Sequence, residues 1–206
     1  MPRMLKTSAV CGIAGPILFA GVVVTLSFLE RDFMLSLGWD PLNAPTRDWP
    51  SGLALGPGGF AMTAAFSASG LLLVFFSFGL RRRFKTVPAG AAASILLALA
   101  GLAMSLLAFA TDPTNSAAPA TLHGRIHDAA FAVMGVALVA SLVCFGFAFR
   151  GDGRPASAVF SWVAAALTVP SFTVKGIVFY LFLAVFLAWC EAAAVQLLRS
   201  GSRGVR

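Results

Sequence analysis

A chain of 206 residues with 59% hydrophobic and only 11% charged residues, at a mean hydropathy of +0.88, carries more apolar surface than a soluble domain of its size can hide. Lipid must therefore be part of its solvent. The net charge of +7 would suit nucleic acid only if the basic residues formed one patch beside stacking aromatics; they are scattered between apolar runs, which excludes that partner.

Six runs reach or approach the roughly 20 helical residues that cross a bilayer core of about 30 Å. They predict spans near residues 9–29, 60–80, 89–110, 126–149, 157–172 and 177–198. The expected fold class is all-α: a single-domain, polytopic membrane bundle of six transmembrane helices. The runs lack the period-2 alternation of a membrane barrel. Arg3 and Lys6 ahead of the first run resemble a signal peptide, but the run is too long and ends in Phe28-Leu29-Glu30-Arg31-Asp32 with no small-residue cleavage pattern. It reads as an uncleaved first span.

The connection over residues 30–59 holds Trp39, Pro41, Pro45, Trp49, Pro50 and Gly56-Pro57-Gly58-Gly59, too many breakers for a long helix. Its tryptophans suit the headgroup region, which predicts an external loop folded over the bundle's mouth. Such a loop is either a lid over a site or an interfacial plug that caps helix ends. The third and fourth spans are rich in Ala, Leu and Gly, as in helices that pack through small residues. The fifth is short, carries Ser157, Ser161 and Thr168, and has Pro170 near its end; tilt or snorkelling flanks would accommodate it. Cys11, Cys144 and Cys190 fall inside spans without zinc-type spacing and read as small buried hydrophobes.

Charge then orients the hairpins. Of the 15 Lys and Arg residues, Arg31, Arg47, Arg125 and Lys175 fall on one side and the other eleven on the side of both termini. The positive-inside rule assigns the termini to the cytoplasm of a cell (inner) membrane, with the 30–59 loop outside.

One polar constellation stands out at the outer end. Asp112 closes the third span in Thr111-Asp112-Pro113-Thr114, and His123, Arg125, His127 and Asp128 open the fourth. Positions four apart share a helix face, so His123 and His127 could offer two imidazoles to one cation with Asp112 as third ligand, supporting a metal-bound water. The same residues could equally form a polar packing network, or hold an organic or phosphate-bearing ligand with Arg125 and Arg47. Arg125 points about 100° away from its neighbours on the helix and could instead anchor to lipid. Glu191 sits about fourteen residues, or about 21 Å, into the last span, too deep to join His127. A carboxyl there should face the bundle, either as a proton-carrying group of a transporter or as a neutral tie between helices beside Ala192-Ala193-Ala194.

Asp48-Trp49-Pro50-Ser51-Gly52-Leu53-Ala54-Leu55-Gly56-Pro57, followed by Gly70-Leu71-Leu72 and Gly79-Leu80-Arg81-Arg82, resembles the first loop and second span of an uncharacterised prokaryotic membrane family, domain of unknown function 998. Phe109-Ala110-Thr111-Asp112-Pro113, then Thr121-Leu122-His123-Gly124-Arg125-Ile126-His127 and Phe131, is similar to that family's aspartate-proline and threonine-x-histidine-glycine-x-x-histidine signature. The resemblance covers essentially the whole chain. It implies a six-helix integral membrane protein, bacterial or archaeal, with signature positions Ser51, Asp112, Thr121, His123, Gly124 and His127 on the outer side, and it brings no reaction. Ala65 departs from a polar position of the pattern, and Phe179-Tyr180 replaces a charged or amide pair.

Two functions fit these residues. One is a non-enzymatic membrane protein that binds or moves a small or lipid-like molecule through the outer polar site, with Glu191 as a coupling group. The other is an intramembrane enzyme, metal-dependent or acid-base, acting on a lipid or isoprenoid at the outer leaflet through Asp112, His123 and His127. The sequence assigns no cofactor and no catalytic set. Its small-residue faces would serve self-association as readily as packing of the chain's own helices.

Overall fold

The computed structural model describes residues 3–38, 40, 49–113, 118–172, 174 and 177–202. Arg47, Trp39, Pro41, Pro45, Asp48 and Lys175, all invoked above, lie outside the described residues. The described chain is helical, without a strand: α1 (Arg3–Leu29), α2 (Arg31–Ser36), a 3-10 helix (Pro50–Leu55), α3 (Gly59–Arg83), α4 (Pro88–Leu106), α5 (Leu122–Gly151), α6 (Pro155–Ser171) and α7 (Ile177–Ser202). Five of these are long and apolar enough to cross a membrane, and α6 is a shorter apolar helix of 17 residues. The protein is a multi-pass helical membrane bundle.

Local chemistry sets the ends. Pro88 and Pro155 open α4 and α6 at the position where a missing N–H costs nothing. Arg81, Arg82 and Arg83 sit in the last turn of α3, where cations meet the negative end of the helix dipole. Between α5 and α6, Gly153 turns at φ +71°, a conformation natural to glycine. Pro170, which lacks an N–H for the ladder, stands one residue from the end of α6. The third span stops at Leu106 instead of running to Ala110. Residues beyond it are apolar but spend their carbonyls outside the helix, as the site below explains.

The long helices form a closed ring: α1 packs on α3, α3 on α4, α4 on α5, α5 on α6, α6 on α7, and α7 returns to α1. Large apolar side chains point outward, among them Phe75, Val136 and Val163 at 53%, 74% and 47% exposure. That arrangement is stable only against lipid. Inside, small residues let the helices approach. Gly70 of α3 lies against the Gly101 carbonyl of α4 so closely that a Cβ there could not fit, and Ser105 donates to the Ser67 carbonyl at 3.3 Å. Buried hydroxyls are mostly spent on carbonyls, as in Ser141 to Ala93 at 2.8 Å across α5 and α4.

The ring has two unlike ends. At the end shared by both termini, Asp152 bonds Arg83 and lies 3.1 Å from Arg154, which donates to Gln196 at 3.0 Å. At the opposite end, α2 and the 3-10 helix fold over the bundle. Met34 of α2 and Leu53 of the 3-10 helix are fully buried in a cluster with Val23, Met62 and Phe66. Glu30 straps this cover down: its carboxylate accepts from the Gly58 N–H, and a Cβ at Gly56 or Gly58 would strike it. Trp49, expected among headgroups, instead packs on Phe131 of α5 with ring centroids 5.2 Å apart.

Candidate functional site

Beneath this cover the ring encloses a cavity of about 80 Å3. Its walls come from α1, α3, α4, α5 and α7, and Trp49, Pro50 and Ser51 of the covering segment close it from above. Phe66, Leu73, Met104, Met134, Leu138 and Phe186 make the lining almost wholly apolar. The described lining holds no Asp, Glu, Lys or Arg; its polar side chains are Ser51, Ser69, His127 and the Trp49 indole.

His127 is brought there by the end of α4. A helix leaves its last carbonyls without intrahelical partners, and His127 Nδ1 lies 3.1 Å from the Leu107 carbonyl and 2.8 Å from that of Phe109. Carbonyls only accept, so Nδ1 carries the proton and donates to both. The Phe66 ring stands edge-on to the imidazole at 6.2 Å. The ring is buried at 4% exposure, and Nε2 has no hydrogen-bond partner among the described residues.

Asp112 and Thr121 do something else. The carboxylate accepts from the Thr121 N–H at 2.8 Å and the Thr121 hydroxyl at 2.7 Å, and that hydroxyl in turn accepts from the Gly124 N–H at 3.0 Å, capping α5. Gly124 is small for a reason: a Cβ would collide with the Asp112 carboxylate. The Thr121 hydroxyl and N–H are the main causes holding the Asp112 carboxyl below its ordinary range, with the nearby His123 adding a smaller pull in the same direction. The threonine-x-histidine-glycine-x-x-histidine spacing is thus a cap, a clearance and an inward-reaching imidazole one turn later.

The three expected metal ligands do not share a pocket. Asp112 is committed to the cap, His123 is exposed with its ring 6.0 Å from Phe109, and His127 is buried in the bundle. Although His123 and His127 lie four apart, His123 is in the first turn of α5, past the end of α4 at Leu106, and only His127 reaches the carbonyls that α4 leaves open. Among the described residues, no three His, Cys, Asp or Glu side chains come together to hold a metal ion. Arg125 and Asp128 are exposed, and Ser51 is half-buried on the cavity wall. Glu191 is half-buried on α7, outside the cavity lining, beside the buried Ala193 and Ala194. The three cysteines are free, with Cys11 and Cys190 buried.

Sequence reasoning missed Ser69. It lines the cavity from α3, and its hydroxyl is buried with no partner, the one such hydroxyl among the described residues. One serine among the three of α3 gives no warning of this. Glu30, read from the sequence only as part of the end of the first apolar run, carries a second buried oxygen without a partner on the strap. The spacing of Gly56 and Gly58 was its only trace.

No curated protein and no solved structure matches the chain significantly. A family model does match, over residues 13–196, taking in the covering segment, the Asp112 cap and every helix that lines the cavity, and the chain therefore belongs to the family described as Protein of unknown function (DUF998).

Proposed function

We propose that the protein binds a small lipid-like molecule in the cavity of its helical ring, without catalysing a reaction on it. The observation that carries this reading is the cavity's composition: an apolar chamber under a folded cover, with His127 as its single titratable lining group among the described residues. Ligand sites are commonly concave and apolar with few oriented polar groups. The residues once expected to assemble a metal-dependent active site are divided between a helix cap, an exposed face and the cavity, so the enzymatic alternative has less to stand on.

In this reading the end rich in Arg faces the cytoplasm of the cell membrane, as the positive-inside rule directs, and the covered end faces outward. Trp49, Pro50 and Ser51 act as the lid, and Glu30 holds it. Movement of the ligand across the membrane would add Glu191 as the coupling group, roughly 7.5 Å along α7 beyond Phe186. A proton-coupled flux unchanged by Glu191→Gln would remove that role.

Photolabelling in native membranes with a diazirine-bearing acyl probe tests the binding reading. Adducts should map to the inward residues Met104 and Met134 as well as to the lipid-facing surface. Labelling confined to outward positions such as Leu102 and Val136 would overturn it.

A further inference from the structure

The cavity's few polar atoms specify more than greasiness. We infer that its ligand is a neutral chain-bearing alcohol, whose hydroxyl donates to His127 Nε2 and accepts from the Ser69 hydroxyl. This rests on the binding reading above and goes further by naming the ligand's head.

The hydrogen-bond ledger of the two side chains leads there. His127 Nδ1 must hold its proton because both atoms it meets, the carbonyls of Leu107 and Phe109 at 3.1 and 2.8 Å, are acceptors. A neutral imidazole in that tautomer presents Nε2 as a lone pair, and a lone pair in an apolar chamber calls for a donor. Ser69 shows the complementary vacancy. Other buried hydroxyls of this bundle return their proton to a carbonyl, as Ser94 does to Gly90 at 2.8 Å and Thr168 to Ala164 at 2.7 Å, whereas the Ser69 hydroxyl has no partner. Both residues line the one cavity, so a group that both donates and accepts through one small oxygen can answer the two together, and an alcohol is the simplest such group.

Charge narrows the class again. The described walls provide no cation for a carboxylate or phosphate and no anion for an amine, so a charged head would enter without compensation. From the polar head the chain has an apolar path along Leu73, Leu138, Phe182 and Phe186. The cavity, about 80 Å3, is about half the size of an engineered apolar cavity that admits benzene. It therefore takes the head and the first few carbons, and a longer chain must continue between helices.

Thermal unfolding of the full-length protein in bicelles, with three probes of equal heavy-atom count, separates these claims: 1-octanol, 1-methoxyheptane and nonane. The alcohol can donate and accept, the ether can only accept, and the alkane does neither. We expect octanol to raise the midpoint by about 5 °C at one hundred times its Kd, to bind about tenfold tighter than the ether, and the ether to exceed nonane. Octanoate at neutral pH should bind no better than nonane. Ser69→Ala, a small change that leaves the His127 contacts intact, should bring the ether down to the alkane while preserving the gap between alcohol and ether.

Equal binding of octanol and ether by the unaltered protein would overturn the assignment of an alcohol and leave the cavity as a plain apolar site. Tighter binding of octanoate than octanol would overturn the neutral head in the same way. A Ser69→Ala protein with all three affinities unchanged would remove Ser69 from the recognition. No shift with any of the probes would end the binding reading itself, together with this inference.

Discussion

Asp112 and Thr121 are joined twice through one carboxylate, whose two oxygens accept from the Thr121 N–H at 2.8 Å and the Thr121 hydroxyl at 2.7 Å. The threonine is thereby fixed to accept from Gly124 and to start α5, the helix that carries His127 into the cavity. A loop carboxylate outside the cavity lining thus sets the register of the histidine that lines it.

The bond is to the charged form, so its pH dependence has a sign. The folded-state carboxyl titrates below its ordinary value; its stabilisation is complete above the unfolded pKa, near 3.9, and is lost as pH falls through the lower folded value. Asp112→Asn should therefore lower the unfolding midpoint at pH 7, and the difference from the unaltered protein should narrow below about pH 4. Gly124→Ala should disturb the same contacts by pushing a Cβ into the carboxylate. In a double-mutant cycle its cost should largely vanish when Asp112 is already alanine, because the two changes break one network. Additive costs would show that Gly124 serves another purpose.

The apolar runs could be read as spans because lipid leaves the backbone few alternatives to a helix of about 20 residues. Their ends were harder. Leu107 to Ala110 is as apolar as the helix before it, yet the carbonyls of Leu107 and Phe109 turn to His127, a partner 18 to 20 residues away that no local pattern announces. His123 and His127 could be singled out together by spacing, but spacing does not say where the neighbouring helix stops, and that divides an exposed imidazole from a buried one. Glu30 meets Gly58 across 28 residues, and Ser69 is distinguished only by the bond it fails to make. Such features belong to the closed ring, whose order of helices is not written in any single run.

At the end with the termini, the Arg83–Asp152 pair should respond unequally to losing either member. The Arg83 side chain is 8% exposed and Asp152 is 36% exposed. Asp152→Ala leaves a buried guanidinium without its counterion, whereas Arg83→Ala leaves a partly solvated carboxylate still 3.1 Å from Arg154. Unfolding in mixed micelles should show the Asp152 change costing about 1–3 kcal/mol and the Arg83 change clearly less. The reverse order would mean that Arg83 contributes mainly through its contact with the Phe84 ring at 5.0 Å.

His127 holds two carbonyls at once, and both would lose this partner if the ring were removed. His127→Ala should destabilise the protein by about 2–5 kcal/mol, combining lost hydrogen bonds with a void beside Phe66. Asparagine has an amide N–H placed much like Nδ1, so His127→Asn should recover part of the loss. Denaturant midpoints of the three proteins, compared at equal slope, would check this. Identical midpoints for the alanine and asparagine proteins would show that the imidazole acts by filling space alone.

Ser69 and Ser141 are both buried serines in the bundle, and they should answer alanine in opposite ways. Ser141 donates to the Ala93 carbonyl of a neighbouring helix at 2.8 Å, so Ser141→Ala gives up a net hydrogen bond worth about 0.5–1.5 kcal/mol. The Ser69 hydroxyl has no hydrogen-bond partner among the described residues, and burying a polar group unpaired costs about 1–3 kcal/mol in mutational data. Ser69→Ala should hence leave the ligand-free protein unchanged or more stable, by up to about 1 kcal/mol after the lost packing of one oxygen is set against that relief. Tm of protein purified in detergent and placed in bicelles reads both. A clear loss of stability in Ser69→Ala would mean that the hydroxyl is already bonded, by water or by a resident molecule, and repeating the measurement after exhaustive lipid extraction would distinguish the two, because only the molecule can be washed away.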